Sequence, residues 1–162
     1  MYLHAAPTGY SFRRNAVSEY GIGRYAWGYR AQVALAALAA LAAVCLAAAL
    51  PSHPVLQVAL LLTFAAARLA IAFFPTDLLD SAEATSTGRV HLLLAATAFA
   101  AICWCECTYP PRFLGYVATA GAVGTFLALR RVPRLRPVLG LLERVFYIAT
   151  IAWFIVNAVR LS

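Results

Sequence analysis

The chain has 162 residues, of which 64% are hydrophobic and 12% are charged, whereas soluble domains are roughly half apolar and about a quarter charged. This composition excludes an ordinary water-facing surface, and the length allows a single domain. The net charge of +7 comes from thirteen arginines and no lysine against six acidic residues. Because the arginines lie mostly between apolar runs, membrane topology accounts for them, and we expect no nucleic-acid partner.

A polar N-terminal segment, residues 1–30, precedes five apolar runs that form the predicted transmembrane domain, residues 31–162. The runs cover residues 31–50, 55–74, 90–107, 113–129 and 138–159. A helix of about 20 residues crosses a hydrocarbon core of about 30 Å. The runs show no apolar–polar alternation, which argues against strands. We therefore predict an all-α fold, a polytopic membrane helix bundle of about five transmembrane helices.

The connections between the runs are mostly short and rich in proline, so neighbouring helices are predicted to be antiparallel. The longer connection, residues 75–89, has the composition of a short interfacial helix. In this interpretation Asp77 caps the helix, Asp80 occupies its third position, and Gly88 ends it.

Small residues dominate two of the runs. The first run is nearly all Ala and Leu, and the fourth places Gly115, Gly121 and Gly124 at helical spacing with Thr and Ala. Such faces allow helices to approach closely in lipid. We expect these two helices to pack tightly, either within the chain or against a protein partner or a second copy.

The arginines are distributed unequally between the two sides of the membrane. The N-terminal segment and the second and fourth connections share one side and hold nine arginines, against Arg112 and Arg160 on the other. This asymmetry predicts a multi-pass protein of the cell membrane with a cytoplasmic N-terminus.

Polar residues converge on this Arg-rich side. They are Ser18, Glu19, Arg68, Asp77, Asp80, Arg89, His91, Glu143 and Arg144. Arg68 and Glu143 lie about 9 Å inside the boundary of their runs, where pairing of charges is favoured. We hypothesise an ion pair between Arg68 and Glu143. The alternatives are that Arg68 reaches the lipid headgroups while Glu143 is solvated, or that both serve binding or catalysis.

Asp77, Asp80 and His91 are candidates for an acid–base pair or a metal site. Helix capping and an interfacial position explain the same residues without chemistry, so we expect no metal and no cofactor. The run from Cys103 to Cys107 is interpreted as packing residues, because Cys105 points away from the other two cysteines on a helix. A disulfide or metal site in an oligomer is the alternative.

Three short elements carry a family resemblance. They are Ser18-Glu-Tyr-Gly-Ile-Gly, Phe74-Pro-Thr-Asp77 and Thr87-Gly-Arg-Val-His91. With them the chain resembles the bacterial membrane proteins of domain of unknown function 998. The resemblance implies six helices, of which this chain lacks the first, and it implies no activity. It makes Ser18, Asp77 and His91 the best candidate site residues.

Three functions remain open at this point. The favoured hypothesis is a non-enzymatic membrane subunit for assembly, packing or lipid binding, since no phosphate-binding loop, nucleophile elbow or paired-histidine motif is found. The alternative is a lipid-active enzyme with a surface site at Asp77, Asp80 and His91. A small transporter or channel formed by an oligomer comes third. Membrane lipids are the expected partners in each case.

Overall fold

The structure, a computed structural model, describes residues 9–50, 52, 54–78, 81, 83–130 and 132–161. These residues contain five α-helices and no strand, which confirms the predicted all-α bundle. The helices are α1 (Ala26–Ala48), α2 (Val55–Ile71), α3 (Ser86–Thr108), α4 (Arg112–Leu129) and α5 (Leu139–Leu161). Three 3-10 helices, Val17–Gly21, Gly23–Tyr25 and Arg136–Val138, precede α1 and α5.

Four of the five helices are long and apolar enough to cross a membrane: α1, α3, α4, and α5 together with its preceding 3-10 turn. The remaining helix, α2, has 17 residues and is about 25 Å long. It ends at Ile71, whereas the sequence predicted residue 74, and the last three predicted residues form a turn. There Phe73 and Phe74 donate backbone hydrogen bonds three residues back, just ahead of Pro75.

The five helices follow one another around the bundle in chain order, and α1 and α5 also meet. Because each helix reverses the direction of the one before, the start of α1 and the second and fourth connections lie at one end. We call this the Arg-rich end. The other end, which holds the α1–α2 and α3–α4 connections, is called the opposite end.

The N-terminal segment is part of the bundle although its composition is polar. Helix α1 begins at Ala26 instead of residue 31, and the 3-10 helix Val17–Gly21 buries Glu19 and Tyr20. Gly21 lies against the ring of Tyr29, where a Cβ would come within 2.7 Å of Cδ1. Gly23 adopts a φ of 79°, which favours glycine. The glycines of this element are therefore explained by close packing and by a left-handed turn.

The predicted interfacial helix in the second connection is wrong for the part of it that the structure describes. Thr85 caps α3, since its hydroxyl accepts a hydrogen bond from Gly88 N–H at 2.9 Å. The Asp77 carboxylate in turn accepts from the Thr85 amide at 3.0 Å and from its hydroxyl at 2.7 Å. Gly88 thus lies in the first turn of α3, against Asp77, and does not end a helix. Asp80 lies outside the described residues.

The small residues of α4 are used inside the bundle. A Cβ on Gly115 would lie 2.5 Å from the backbone nitrogen of Cys107 on α3. On the α5 side, a Cβ on Gly121 would lie 2.8 Å from backbone atoms of Leu142 and Phe146. Both neighbours of α4 therefore approach it at backbone distance, which only small side chains permit.

Candidate functional site: a polar cavity at the Arg-rich end

A cavity of about 290 Å³ lies at the Arg-rich end and takes its wall from the N-terminal segment, all five helices and the second and fourth connections. The predicted polar residues that line it are Ser18, Glu19, Arg68, Asp77, Arg89, His91 and Glu143. Residues far apart in the sequence are thus brought together around one space. Antiparallel topology alone had placed them at one end of the bundle, and the structure now shows the space that they share.

Arg68 is the most deeply buried cation of this wall, with 1% of its surface exposed. Its Nη1 donates to the Tyr147 hydroxyl at 3.1 Å, and its Nη2 donates to Gln32 Oε1 at 3.3 Å. The third donor, Nε, is buried and has no hydrogen-bond partner among the described residues. A buried donor of this kind requires an explanation, and an ionisable residue inside a membrane is a candidate for function.

The predicted direct ion pair between Arg68 and Glu143 is wrong, because Tyr147 stands between them. Tyr147 lies one turn after Glu143 on α5, and its hydroxyl donates to Glu143 Oε1 at 3.5 Å while accepting from Arg68. The other carboxylate oxygen of Glu143 accepts the backbone N–H of Val17 at 2.6 Å. The two charges are therefore connected through a neutral hydroxyl and held to the N-terminal segment.

The three carboxylates of the cavity all accept hydrogen bonds from the protein itself. Glu19 accepts from the Asn15 amide at 2.9 Å and from Ala16 N–H at 2.8 Å. Asp77 is engaged by Thr85 through both oxygens, and Glu143 by Val17 and Tyr147. Their charges are thus satisfied internally, whereas Arg68 retains an unused donor.

The family elements around Asp77 and His91 bind one another. His91 Nδ1 donates to the carbonyl oxygen of Phe74 at 2.6 Å, and Gly88 leaves room for the Asp77 carboxylate. In the neutral ring, Nε2 is consequently the acceptor nitrogen. Within the described part of the chain, no three His, Cys, Asp or Glu side chains come together as metal ligands. These contacts give the elements a structural role in joining α2 to α3.

Arg144 departs from the predicted cluster, since it lies outside the cavity wall. Its Nη1 donates to the carbonyl oxygens of Asn15 at 3.1 Å and Gly140 at 2.7 Å. The guanidinium carbon lies 4.3 Å from the ring centroid of Phe12. Arg144 therefore fastens the N-terminal segment to the first turn of α5, and it lines a separate groove between α1 and α5.

The opposite end also contains a buried carboxyl group, that of Glu106, which is fully enclosed. Among the described residues, neither of its carboxylate oxygens has a hydrogen-bond partner, and the same holds for the Thr150 hydroxyl, which lies near it on α5. The neighbouring Cys103 and Cys105 are buried, and all four cysteines are free thiols. This agrees with the interpretation of the cysteine run as packing residues.

Sequence reasoning missed three residues of these networks: Gln32, Tyr147 and Glu106. Tyr147 follows Glu143 by four residues, a spacing that places both on one helix face. Gln32 is the one amide in a run of Ala and Leu. Glu106 was overlooked because it lies within the cysteine run, although an acidic residue near the end of an apolar run itself indicates a functional or buried polar position.

The fold and the cavity define a small polytopic α-helical membrane protein with a polar site at one end. Comparison with family models identifies its relatives: residues 1–160 match the model described as Protein of unknown function (DUF998). The chain belongs to that family, as the three short elements had indicated. No curated protein and no solved structure matches it.

Proposed function

We propose that the protein is a non-enzymatic membrane subunit that binds the phosphate headgroup of an anionic lipid in the cavity at its Arg-rich end. The observation that carries this proposal is the state of Arg68, which lines the cavity, is buried, and keeps Nε without a partner. Guanidinium groups bind phosphate strongly through paired N–H donors. Basic pockets between transmembrane helices are a known kind of headgroup site.

The surrounding groups support binding of an anion. The cavity carboxylates accept hydrogen bonds from internal donors, so they oppose an incoming phosphate less than free carboxylates would. Arg89 lies on the cavity wall with an exposed side chain for which the described residues provide no acceptor. We further propose that this end faces the cytoplasm in the cell membrane, as the positive-inside asymmetry predicts.

The test is lipid binding by the purified protein in mild detergent, measured by native mass spectrometry. We expect preferential retention of phosphatidylglycerol over phosphatidylcholine, and roughly tenfold weaker phosphatidylglycerol binding in Arg68→Gln. Arg112→Gln is the matched control, because Arg112 is exposed at the opposite end and its Nε donates to the carbonyl oxygen of Thr108 at the end of α3, away from the cavity. Its binding should equal that of the wild type.

Arg89→Gln is a second variant, and it should not change the stability of the fold, since the Arg89 side chain is exposed. We expect roughly threefold weaker binding, as for the loss of one peripheral phosphate contact. Equal binding of the two lipids by the wild type would overturn the proposal. Equal losses in Arg68→Gln and Arg112→Gln would do the same.

A lipid-active enzyme is the second candidate, favoured by one observation. Asp77 and His91 lie on the same cavity wall as Arg68, and the His91 ring keeps Nε2 as an acceptor. Asp77 adds little support to the enzyme hypothesis, because both of its carboxylate oxygens accept hydrogen bonds from Thr85. Lipid extracts of cells lacking the protein, of wild-type cells and of His91→Ala cells test it. A product found only with the wild type would replace the binding proposal with an enzymatic one.

A protein partner or a second copy remains part of the proposed function as a subunit. The small residues of α4 already serve internal packing, so an assembly would use another surface. Helix α1 is the better candidate, because it exposes alanines and leucines along most of its length.

A further inference from the structure

A groove of about 850 Å³ runs between α1 and α5 on the side of the bundle where these two helices face each other. Both helices begin at the Arg-rich end, so they are parallel, and the N-terminal segment closes the groove there through Phe12, Val17 and Tyr20. The walls are mainly apolar, and several of their side chains are more than half exposed. They include Trp27, Leu35, Ile148, Ile151 and Ile155.

The length of the groove matches one leaflet of a bilayer. On α1 it extends from Trp27 to Ala39 and on α5 from Arg144 to Ile155. At about 1.5 Å per residue each wall is about 17 Å long, close to half of a hydrocarbon core of about 30 Å. Because the groove lies mainly along the first half of α1 and of α5, which both begin at the Arg-rich end, it faces the leaflet on that side.

The charge near the closed end of the groove suits an anionic lipid. Arg144 lines this end, and the adjoining N-terminal segment carries four further arginines against Glu19 alone. These arginines are Arg13, Arg14, Arg24 and Arg30. Glu19 is buried and caps its own segment. The local field therefore attracts negatively charged headgroups to the place where the groove begins.

The groove and the polar cavity are neighbours that share part of their walls. Tyr147 lines both spaces, and Gln32, which lines the groove, accepts the hydrogen bond of Arg68 in the cavity wall. A molecule with an apolar chain and an anionic head thus finds both complementary environments side by side.

We propose that the groove holds one acyl chain of an anionic phospholipid from the leaflet at the Arg-rich end, an inference that rests on the proposed headgroup site. Chain binding selects a lipid rather than a water-soluble phosphate as the ligand. Since lipid tails are as apolar as the groove, the gain comes from close packing and not from the hydrophobic effect. The selectivity for chains is therefore moderate.

The experiment compares ligands that share a phosphate and differ in their chains. Dioleoyl phosphatidylglycerol, dihexanoyl phosphatidylglycerol and glycerol 3-phosphate are titrated into the purified full chain in detergent, with native mass spectrometry as the readout. The wild type should bind the dioleoyl lipid roughly fivefold more tightly than the dihexanoyl lipid. Ala39→Phe, which fills the groove, should abolish this preference.

The matched control is Ala42→Phe. Ala42 is one turn further along α1, is exposed, and does not line the groove, so the preference for long chains should persist. Ala39→Phe that keeps the wild-type preference overturns the inference. Arg68→Gln tests the headgroup site separately, so failure of the groove and failure of the headgroup site are distinguishable.

Two further outcomes would also overturn the inference. Equal affinity for glycerol 3-phosphate and for the dioleoyl lipid would show a soluble anion as the ligand, while leaving the phosphate site at Arg68 intact. A dimer of the wild type that becomes a monomer in Ala39→Phe, measured by light scattering, would assign the groove to a second copy of the chain.

Discussion

The two ends of the bundle handle buried charge in opposite ways. At the Arg-rich end, Arg68 and Glu143 belong to a hydrogen-bonded network around a cavity. At the opposite end, Glu106 is enclosed and has no hydrogen-bond partner in the described part of the chain, where α4 lies at backbone distance from α3. Trp153 and Asn157 close this end further by donating to the carbonyl oxygens of Tyr109 and Pro110. The comparison indicates that one end is built to leave space and the other to exclude it.

The largest effect is expected where the opposite end is tightest. Gly115→Ala should lower the free energy of unfolding by about 3 kcal/mol, because its Cβ meets the backbone of α3 and the helices have to separate. Thermal unfolding in mild detergent measures this. Gly124→Ala is the control, since its Cβ meets the movable end of Leu142, and its cost should stay below about 1 kcal/mol. Equal costs would show that the close approach is not what holds this end together.

The connection between Arg68 and Glu143 should depend on Tyr147. A double-mutant cycle with Arg68→Ala and Glu143→Ala is expected to give a coupling energy of about 2 kcal/mol. In a Tyr147→Phe background the coupling should fall below about 0.5 kcal/mol, because the bridging hydroxyl is gone. A coupling that survives the removal of the hydroxyl would favour a direct ion pair.

The same substitution at the two ends should have different effects. Glu143→Gln should destabilise by about 1.5 kcal/mol, because an amide satisfies the donors of Val17 and Tyr147 less well than a carboxylate does. Glu106→Gln should leave stability unchanged or raise it by up to about 1 kcal/mol, since it removes a buried carboxylate for which the described residues provide no hydrogen-bond donor. Chemical denaturation of the two variants gives the comparison. Similar losses at both positions would mean that Glu106 is satisfied after all.

The smallest effect concerns the cap of α3. Asp77→Ala should cost about 1 kcal/mol of unfolding free energy, the usual value for loss of a capping contact, because Thr85 loses its acceptor. Thr76→Ala is a control on the neighbouring residue, whose hydroxyl donates only within the connection. A cost above about 3 kcal/mol for Asp77→Ala would exceed the effect of a lost cap and would show that Asp77 also stabilises the cavity in another way.

The sequence predicted the helices well, because apolar runs of this length have few other structures available in a membrane. It also predicted which residues share an end, since short connections enforce antiparallel neighbours. The second connection was mispredicted because Asp77 and Gly88 have the usual chemistry of a cap and a stop. In the structure they face each other across the start of α3.

The side-chain contacts of the polar site were harder to predict from the sequence. Whether Arg68 reaches Glu143 directly depends on side-chain rotamers and on Tyr147, which helical spacing does not determine. The burial of Glu19 depends on the fold of a segment whose composition indicated exposure. Such features arise when distant parts of the chain meet, so a local pattern carries little information about them.

The contact between Val17 N–H and Glu143 has a consequence for the order of assembly. The two residues are separated by 126 positions, and α5 is synthesised after the other four described helices. Until α5 inserts, the N–H of Val17 lacks its acceptor, Glu143, and the carbonyl oxygen of Asn15 lacks its donor, Arg144. A segment that is synthesised before the five helices therefore reaches its final position only after α5 has inserted, and this step closes the Arg-rich end.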